Sequence, residues 1–199
     1  MLDPASNSFP SNTPPVGLLA LQGAFHAHAR VFASIGASTR QVRTADDLAD
    51  CSHLVIPGGE STTLLKLLEF RDLTAPILKH AADGKPVLAT CAGLILLACE
   101  VRNPPQDSLG LLDAVVQRNA YGSQVDSFQA DLDIPTLGPA PFPGVFIRAP
   151  IIISTGETVV VLASLNGHPV FVRRDNILAT TFHPELSDDA RIHKLFLSL

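Results

Sequence analysis

The sequence predicts an α/β fold in which a mostly parallel central sheet carries helices on both faces. From residue 16 to about residue 101, short apolar runs typical of buried strands alternate with helical patterns. Parallel strands need crossover connections, and right-handed crossovers place helices on both faces, giving three layers. From residue 145, strand patterns follow one another closely, which predicts an antiparallel extension of the sheet.

Each element of this fold is predicted from its own pattern. Residues 16–21 form a continuous apolar run, as expected for a central strand buried on both faces. Residues 24–35 carry apolar side chains at helical spacing, and Gly36 ends the pattern. The same criteria predict strands at residues 39–42, 53–56, 86–89, 145–147, 151–154, 159–165, 170–173 and 177–182, and helices at residues 45–50, 61–70, 73–82, 94–101 and 188–199.

Turn and loop signals separate these elements. Asn166-Gly167, between two strand patterns, predicts a tight hairpin. The last helix is expected to have acidic residues in its first turn, where they favour its dipole. Loops are predicted at residues 102–108, 118–122 and 133–143, and the last of these is rich in proline and shows no periodicity.

Length and composition indicate one domain at residues 16–199, preceded by a disordered, proline-rich tail at residues 1–15. The net charge is −5 and no basic run exists, so nucleic acid is not expected as a partner. No apolar run is long enough to span a bilayer, and no signal peptide is visible. The 3 cysteines form no C-x-x-C pair, which is typical of free thiols in a reducing compartment. We therefore expect a cytoplasmic protein that does not contact a membrane.

A cysteine lies where one predicted strand ends and a helix begins. Cys91 is flanked by small residues in the run Thr90-Cys91-Ala92-Gly93. A sharp strand-to-helix turn of this kind is typical of a nucleophile elbow, which exposes the side chain above the sheet edge. The helix N-terminus favours the thiolate, the reactive form, and the Ala92 N–H would face a substrate oxygen. Taken by itself, Cys91 is also compatible with a buried structural thiol.

A base for this thiol is predicted at the end of another strand. Of the 7 histidines, only His183 follows a strand of the main sheet and begins a proline-bounded turn, in Thr181-Phe182-His183-Pro184-Glu185. Glu185 could accept a hydrogen bond from one ring nitrogen and leave the other nitrogen for Cys91. This order of nucleophile, base and orienting group is that of a catalytic triad. The alternative is a surface turn with a solvated carboxylate.

The segment Pro57-Gly58-Gly59-Glu60-Ser61 follows a third strand and is expected at the same sheet edge. Its glycines would let a backbone N–H of this segment join that of Ala92 as an oxyanion donor. A phosphate loop is the rival interpretation, but Glu60 would repel phosphate and no lysine follows the glycines. A carboxylate suits an ammonium group instead. A plain connecting loop is the simplest alternative.

Two arginines and two histidines complete the candidates. Arg118 and Arg148 lie beside turn-rich segments, and either could bind a carboxylate through two guanidinium nitrogens, although a surface arginine is the simpler interpretation of each. His26 and His28 are two apart on a predicted helix and so do not share a face for a metal ion. The sequence has neither an H-E-x-x-H motif nor paired cysteines. We therefore expect no metal and no cofactor.

These segments together resemble one family, the glutaminase subunit of the two-component pyridoxal 5'-phosphate synthase, a class I (triad) glutamine amidotransferase. The resemblance runs from about residue 16 to the C-terminus. The elbow and the His-Pro-Glu turn are typical of the wider class. Three segments are more specific to the subunit: Gly58-Gly59-Glu60-Ser61-Thr62-Thr63, Arg118-Asn119-Ala120-Tyr121-Gly122 and Phe146-Ile147-Arg148-Ala149-Pro150. One departure is Ala89, where the family's elbow usually has glycine.

The resemblance implies a flavodoxin-like three-layer sandwich that hydrolyses L-glutamine to L-glutamate and ammonia. It implies that Cys91 forms a glutamyl thioester, with His183 as base and Glu185 as orienting group. Gly59 and Ala92 would supply the oxyanion hole, and the residues implied to bind glutamine are Gly59, Glu60, Ser61, Arg118, Ile147 and Arg148. The ammonia would pass to a barrel-shaped synthase subunit in a hetero-oligomer, which makes pyridoxal 5'-phosphate (vitamin B6). The glutaminase is expected to depend on that partner for full activity.

Two other functions stay open on the sequence alone. The same triad could serve another ammonia acceptor, as in the glutaminase of histidine biosynthesis, although segments 118–122 and 146–150 favour the first assignment. Related flavodoxin-like domains with a cysteine act as stress-protective or binding modules without a working triad. In those domains the thiol lies near an acidic residue and no His-x-Glu turn is needed. Release of glutamate from glutamine would separate the enzyme from the binding module.

Overall fold

The computed structural model describes residues 13–118 and 127–199. The predicted disordered tail at residues 1–15 lies outside the described residues as far as residue 12. The predicted turn-rich segment 118–122 also lies outside them, apart from Arg118. Within the two described ranges, no helix is long and apolar enough to cross a membrane.

Strands and helices alternate in the first half of the chain, and strands dominate the second half. The strands are β1 (Val16–Leu19), β2 (Thr39–Val42), β3 (His53–Ile56), β4 (Val87–Thr90), β5 (Ala98–Arg102), β6 (Leu112–Gln117), β7 (Ser127–Leu132), β8 (Phe142–Ile147), β9 (Ile151–Thr155), β10 (Val160–Leu165), β11 (His168–Arg174) and β12 (Ile177–Thr180). The α-helices are α1 (Phe25–Ser34), α2 (Ala45–Ala49), α3 (Ser61–Phe70), α4 (Thr74–Ala82), α5 (Ala92–Leu97) and α6 (Arg191–Leu197). Short 3₁₀ turns occupy Pro135–Leu137 and Pro184–Leu186.

The central sheet has seven strands in the order β10-β11-β12-β4-β3-β1-β2. Strands β2, β1, β3, β4 and β12 run parallel to one another. Strands β11 and β10 continue the sheet as antiparallel neighbours. The predicted mostly parallel sheet with an antiparallel extension is therefore confirmed.

Both faces of the central sheet are buried, because its inner strands β1, β3, β4 and β12 are mostly apolar and buried at nearly every position. Successive side chains of a strand point to opposite faces of a sheet. In β3, Leu54 and Ile56 pack on one face in a core shared with residues of α3 and α4, whereas Val55 packs on the other. That second core includes Phe32 of α1 and Phe196 of α6. The continuous apolar runs seen in the sequence follow directly from this three-layer arrangement.

The antiparallel extension begins with the predicted hairpin. Asn166 and Gly167 connect β10 to β11 with φ values of 51° and 81°. Positive φ at both central positions is the requirement of a type I′ turn, which Asn-Gly satisfies with little strain. The hairpin prediction is confirmed.

The helix after Cys91 is shorter than predicted. Helix α5 ends at Leu97, and the next five residues form strand β5, which pairs in parallel with β6. The prediction of a helix over residues 94–101 is therefore wrong in its second half. Residues 92–97 are all buried, so their sequence has no amphipathic period that would mark the end of the helix.

Strands β6 and β7 are absent from the predicted elements. They belong to two small sheets, in the orders β5-β6-β9 and β7-β8. Strand β8 begins at Phe142, so the loop predicted over residues 133–143 is wrong at its end. In β7, exposed positions alternate with half-buried ones as far as the buried Leu132, so little of this strand contributes an apolar run that the sequence could reveal.

The C-terminal helix also differs from its prediction. Helix α6 begins at Arg191 and not at residue 188, and its first turn holds no acidic residue. The carboxylate of Asp189 lies just before the helix and accepts a hydrogen bond from the Arg191 N–H at 2.9 Å. An acidic side chain thus contacts the start of the helix from outside it, which the residue pattern alone does not distinguish from a first-turn position.

Four segments meet at the carboxyl edge of the parallel strands. Strands β1, β3, β4 and β12 are close neighbours in the sheet, and the residues that follow them include Gly23, Gly58, Cys91 and His183. All four of these residues line one cavity. In open α/β sheets, ligands bind at this edge.

Candidate active site

Cys91 lies in a strained turn between β4 and α5. Its backbone has φ 49° and ψ −103°, a conformation that non-glycine residues rarely adopt. The Cys91 N–H donates to the Thr180 carbonyl at 2.8 Å, which joins the turn to β12. Gly93 is required here, because a side chain would overlap the Ile56 carbonyl oxygen. This is the geometry of a nucleophile elbow, with Cys91 at the cavity wall and 7% exposed.

His183 and Glu185 lie in the turn that follows β12. Nδ1 of His183 is 2.7 Å from Oε1 of Glu185, and both side chains are buried. The backbone of His183 is also held, since its N–H donates to the Val145 carbonyl at 2.8 Å. With Nδ1 bound to the carboxylate, Nε2 is left for the thiol, as a base in a triad requires.

The electrostatics of this pair favour an imidazolium. Burial alone would lower the pKa of His183, but hydrogen bonds with Cys91 and Glu185 outweigh burial and raise it to about 10. Burial would raise the pKa of the Glu185 carboxyl, but interactions with His28 and His183 lower it below its usual value. At neutral pH the His183 ring is therefore protonated and the Glu185 carboxyl is ionised, so a buried ion pair lies beside Cys91.

The glycine loop after β3 faces both reactive side chains. The Gly58 N–H donates to Thr90 Oγ1 at 3.0 Å, and the Glu60 N–H donates to Gln22 Oε1 at 2.9 Å. A side chain at Gly58 would overlap the His183 ring, so only glycine allows this close approach.

The two backbone N–H groups predicted for the oxyanion hole line the same cavity. Within residues 13–118 and 127–199, the N–H groups of Gly59 and Ala92 have no hydrogen-bond acceptor. Ala92 is the first residue of α5, so its N–H has no partner inside the helix. Both donors are thus available to a negatively charged oxygen.

The cavity has a volume of about 280 Å³ and contains the predicted site residues apart from Glu185, which lies behind His183. The lining residues that the sequence singles out are Gly59, Glu60, Ser61, Cys91, Ala92, Arg118, Ile147, Arg148 and His183. The structure therefore brings together segments that lie up to 124 positions apart (183 − 59) in the chain.

Opposite charges lie together at the mouth of this cavity. Arg148 Nη2 is 3.1 Å from Glu60 Oε1, and both side chains are largely exposed. Arg118 is half-buried, and within the described ranges its buried Nη1 has no hydrogen-bond partner. Ser61 is held by a hydrogen bond from its hydroxyl to Gln106 Oε1 at 2.8 Å. The mouth thus presents two guanidinium groups and one carboxylate.

Sequence reasoning missed three residues that contact the site. Gln22 and Thr90 hold the glycine loop through the hydrogen bonds given above. His28 lies 3.4 Å from Glu185, whereas from the sequence we examined His28 only as a possible metal ligand. The available signal was its position four residues before Phe32, because residues four apart share a helix face and that face is apolar.

Fold and site together define a class of protein. A parallel sheet with a cysteine elbow and a His-Glu pair at its carboxyl edge is the arrangement of the triad glutamine amidotransferases. Residues 18–199 match the SNO glutamine amidotransferase family. The chain belongs to that family.

Curated relatives match over nearly their whole length. Pyridoxal 5'-phosphate synthase subunit PdxT of Pelotomaculum thermopropionicum is 55% identical over 182 residues, which are 92% of this chain and 93% of that protein. The protein of the same name from Herpetosiphon aurantiacus is 53% identical over 188 residues, covering 92% of this chain and 99% of that one.

Solved structures agree with this assignment. A crystal structure of a glutamine amidotransferase superposes with a TM-score of 0.87 at 44% identity, covering 92% of this chain and 97% of that one. A chain in the structure of PurLQS from Thermotoga maritima has a TM-score of 0.69 at 18% identity, covering 94% of this chain and 98% of that one, and shares the fold. The predicted flavodoxin-like sandwich is confirmed.

Proposed function

We propose that this chain is the glutaminase subunit of a pyridoxal 5'-phosphate synthase and that Cys91, His183 and Glu185 form its catalytic triad. The observation that carries the proposal is the 2.7 Å contact between His183 and Glu185 beside a cysteine in a strained elbow. The family match and the relatives at 53% and 55% identity support glutamine as the substrate and pyridoxal 5'-phosphate synthesis as the use of the ammonia.

The reaction begins with attack of the Cys91 thiolate on the side-chain amide carbon of glutamine. The carbonyl oxygen becomes negatively charged and accepts hydrogen bonds from the Gly59 and Ala92 N–H groups. His183 gives its Nε2 proton to the departing nitrogen, so that ammonia leaves and a glutamyl thioester remains. His183 next takes a proton from water, whose oxygen attacks the thioester. The thioester bond breaks, glutamate leaves, and the proton on His183 restores the starting ion pair.

The charges at the cavity mouth suit the other end of the substrate. An amino acid presents one carboxylate and one ammonium group. Arg118 and Arg148 match the carboxylate, which a guanidinium binds through two parallel hydrogen bonds, and Glu60 matches the ammonium group. Ser61 and Ile147 line the same cavity as Cys91. These residues therefore orient glutamine with its amide toward the thiol.

The partner in this proposal is the barrel-shaped synthase subunit, joined to the glutaminase in a hetero-oligomer. Ammonia is neutral when it leaves as the thioester forms and is protonated in bulk water, so direct transfer to a partner keeps it reactive. We place the complex in the cytoplasm and assign the activity to a single domain at residues 16–199, as the sequence predicts.

Glutamate release with and without the synthase subunit tests the proposal. Cys91→Ala is expected to reduce turnover at least ~10³-fold, because no other group supplies the thioester. Cys99→Ala is the matched control, since that thiol is exposed and does not line the cavity. Turnover by Cys91→Ala in the complex would refute the mechanism, and ammonia transfer to a different synthase would refute the partner.

A further inference from the structure

Two buried histidines lie behind the triad, on the side away from the cavity. His28 is on α1 and His193 is on α6, and both side chains are completely buried. Helices α1 and α6 pack on the same face of the sheet, where Phe32 contacts the His193 ring edge-on with ring centroids 5.0 Å apart. Neither histidine lines the cavity, so neither is expected to touch the substrate.

Short polar contacts connect these histidines to the triad. Nδ1 of His28 is 3.0 Å from Nε2 of His193. On the other side of the ring, Nε2 of His28 is 3.4 Å from Glu185 Oε2 and 3.4 Å from Thr90 Oγ1. Glu185 Oε2 is the carboxylate oxygen that His183 does not use. It is buried and has no hydrogen-bond partner among the described residues, so its 3.4 Å contact with His28 Nε2 is an electrostatic contact without hydrogen-bond geometry.

The charge contact favours one arrangement of protons. Each neutral imidazole carries one N–H, and a lone pair on Nε2 would be repelled by the carboxylate oxygen 3.4 Å away. The favoured tautomer of His28 therefore has its proton on Nε2, facing Glu185 and Thr90, and its Nδ1 accepts from His193 Nε2–H. This leaves Nδ1 of His193 without a proton, and that buried atom has no partner among the described residues. An unpaired acceptor is the less costly outcome, because orphaned buried N–H groups are rarer.

Charge also favours neutral rings. Burial lowers the pKa of His28, against the opposing effect of Glu185, and His183 lowers it further. Burial and then His28 lower the pKa of His193 to about 3. The titratable groups that face the pair are His183 and Glu185 in the turn after β12, while β4 contributes the uncharged Thr90.

We propose that His28 and His193 are positioning residues of the triad. His193 holds His28 in the tautomer whose Nε2–H points at Glu185, and His28 in turn holds the carboxylate in line with His183. The effect on the reaction is indirect: a misaligned Glu185 would leave the His183 ring free to rotate and would weaken its ion pair with the thiolate. Hydrogen-bonding partners behind a histidine set its tautomer and orientation in the same way at metal sites.

The rate at which iodoacetamide alkylates Cys91, measured across pH by peptide mass spectrometry, tests this proposal without glutamine. His28→Leu is expected to slow alkylation of Cys91 at pH 7 about tenfold or more, which is the usual effect of removing a hydrogen-bonding partner behind a functional side chain. It is also expected to raise the pH at which the alkylation rate is half-maximal. His28→Gln is expected to restore most of the rate, because its amide can place an N–H near the position of Nε2. Cys99 is exposed and serves as the internal reference in every sample.

A second pair of variants covers the case in which His28→Leu does not fold. His193→Leu is expected to slow alkylation less than His28→Leu, and His193→Gln to restore it through an amide donor to Nδ1 of His28. His80→Leu is the matched control for loss of a buried histidine: His80 is 4% exposed, contacts the Pro86 carbonyl and lies outside the cavity. It should keep the wild-type alkylation profile.

Wild-type alkylation profiles in folded His28→Leu and His193→Leu would overturn the proposal, as would equal losses of alkylation rate in the leucine and glutamine variants.

The turnover readout rests on the proposed function: with the synthase subunit present, His28→Leu should lower kcat and leave KM for glutamine unchanged. If the wild-type chain releases no glutamate, the proposed function fails, while the alkylation result still decides the role of the two histidines.

Discussion

Arg118 illustrates how a single residue can be assigned a function from its surroundings. Its guanidinium lines the cavity and has a buried Nη1 for which the described residues supply no partner. A buried donor without a partner costs free energy. A substrate carboxylate that accepts a hydrogen bond from this donor would therefore gain more binding free energy than it would from an exposed arginine. Within the proposed function, we therefore expect Arg118 to bind the glutamine carboxylate more strongly than Arg148, which is exposed and already lies beside Glu60.

Replacement of Arg118 by glutamine is expected to raise KM for glutamine roughly 10- to 100-fold, the effect of losing a hydrogen bond to a charged group. The chemical step should change less, because the triad is untouched. Steady-state kinetics of the complex measure both constants. Arg102→Gln is the control, since that exposed arginine pairs with Glu100 away from the cavity. Equal KM values for Arg118→Gln and the wild type would contradict the assignment.

At the scale of residues, the sequence predicts those that a sheet edge brings together. Cys91, His183 and the glycine loop each follow a strand, and the ends of parallel strands converge whatever their separation in the chain. His28 and His193 were not predicted as part of the site, because they lie within helices. Which ring nitrogen of a helical histidine meets a carboxylate depends on the packing of α1 against α6, and no local pattern encodes that packing.

At the scale of elements, the strand–turn–helix unit around Cys91 requires glycine, which has no side chain, at position 93. Gly93→Ala is expected to destabilise the fold by about 1–3 kcal/mol and to lower turnover further than the loss of folded protein explains. The reason is that the new methyl group meets the Ile56 carbonyl of β3, so the elbow itself must move. Urea unfolding and glutaminase kinetics on the same samples separate the two effects.

The reverse change, Ala89→Gly, is the matched control. Ala89 is fully buried in β4 between Ile56 and Ala179, two residues before the nucleophile. Removing its methyl group brings the elbow to the form usual in the family and should cost only about 0.5–1 kcal/mol of stability, with turnover unchanged. Unchanged turnover in Gly93→Ala would show that the elbow tolerates the backbone shift. A large loss of turnover in Ala89→Gly would show instead that the elbow depends on the Ala89 methyl group.

The elements themselves were predicted unevenly, for a physical reason. Strands β2 and β3 and helix α3 have the predicted bounds. Strand β3 is a buried apolar run and α3 is amphipathic, and each of these has a distinct pattern, whereas β2 is mostly exposed. The end of α5 and strand β5 were missed, because the pattern of a helix buried on all sides is hard to distinguish from that of a buried strand. The small sheets depend on pairing between distant segments, such as β6 with β9, which no local pattern reveals.

At the scale of the whole molecule, buried histidines make stability depend on pH. Burial lowers the pKa of His80 to about 4 from an ordinary value of 6.5. As the pH falls below 6.5, the unfolded chain takes up a proton that the folded chain does not, so folding becomes less favourable by about 1.4 kcal/mol per pH unit until about pH 4. Above pH 6.5 this effect is absent.

Urea unfolding at pH 7, 6 and 5 measures this contribution. His80→Leu should lose stability more slowly than the wild type as the pH falls, and the difference should reach about 2 kcal/mol at pH 5. The other titrating groups are present in both proteins, so their contributions cancel. Parallel pH dependences for the two proteins would mean that His80 is protonated in the folded state.

The bond between the Cys91 N–H and the Thr180 carbonyl has a consequence for the growing polypeptide. Strand β12 ends at Thr180, so the elbow's backbone partner and the base proposed at His183 are synthesised 89 and 92 residues after Cys91 (180 − 91 and 183 − 91). Contacts this distant in sequence form late in folding. In the proposed mechanism, the Cys91 nucleophile is therefore activated only after β12 and the turn that follows it have been synthesised and have folded against the elbow.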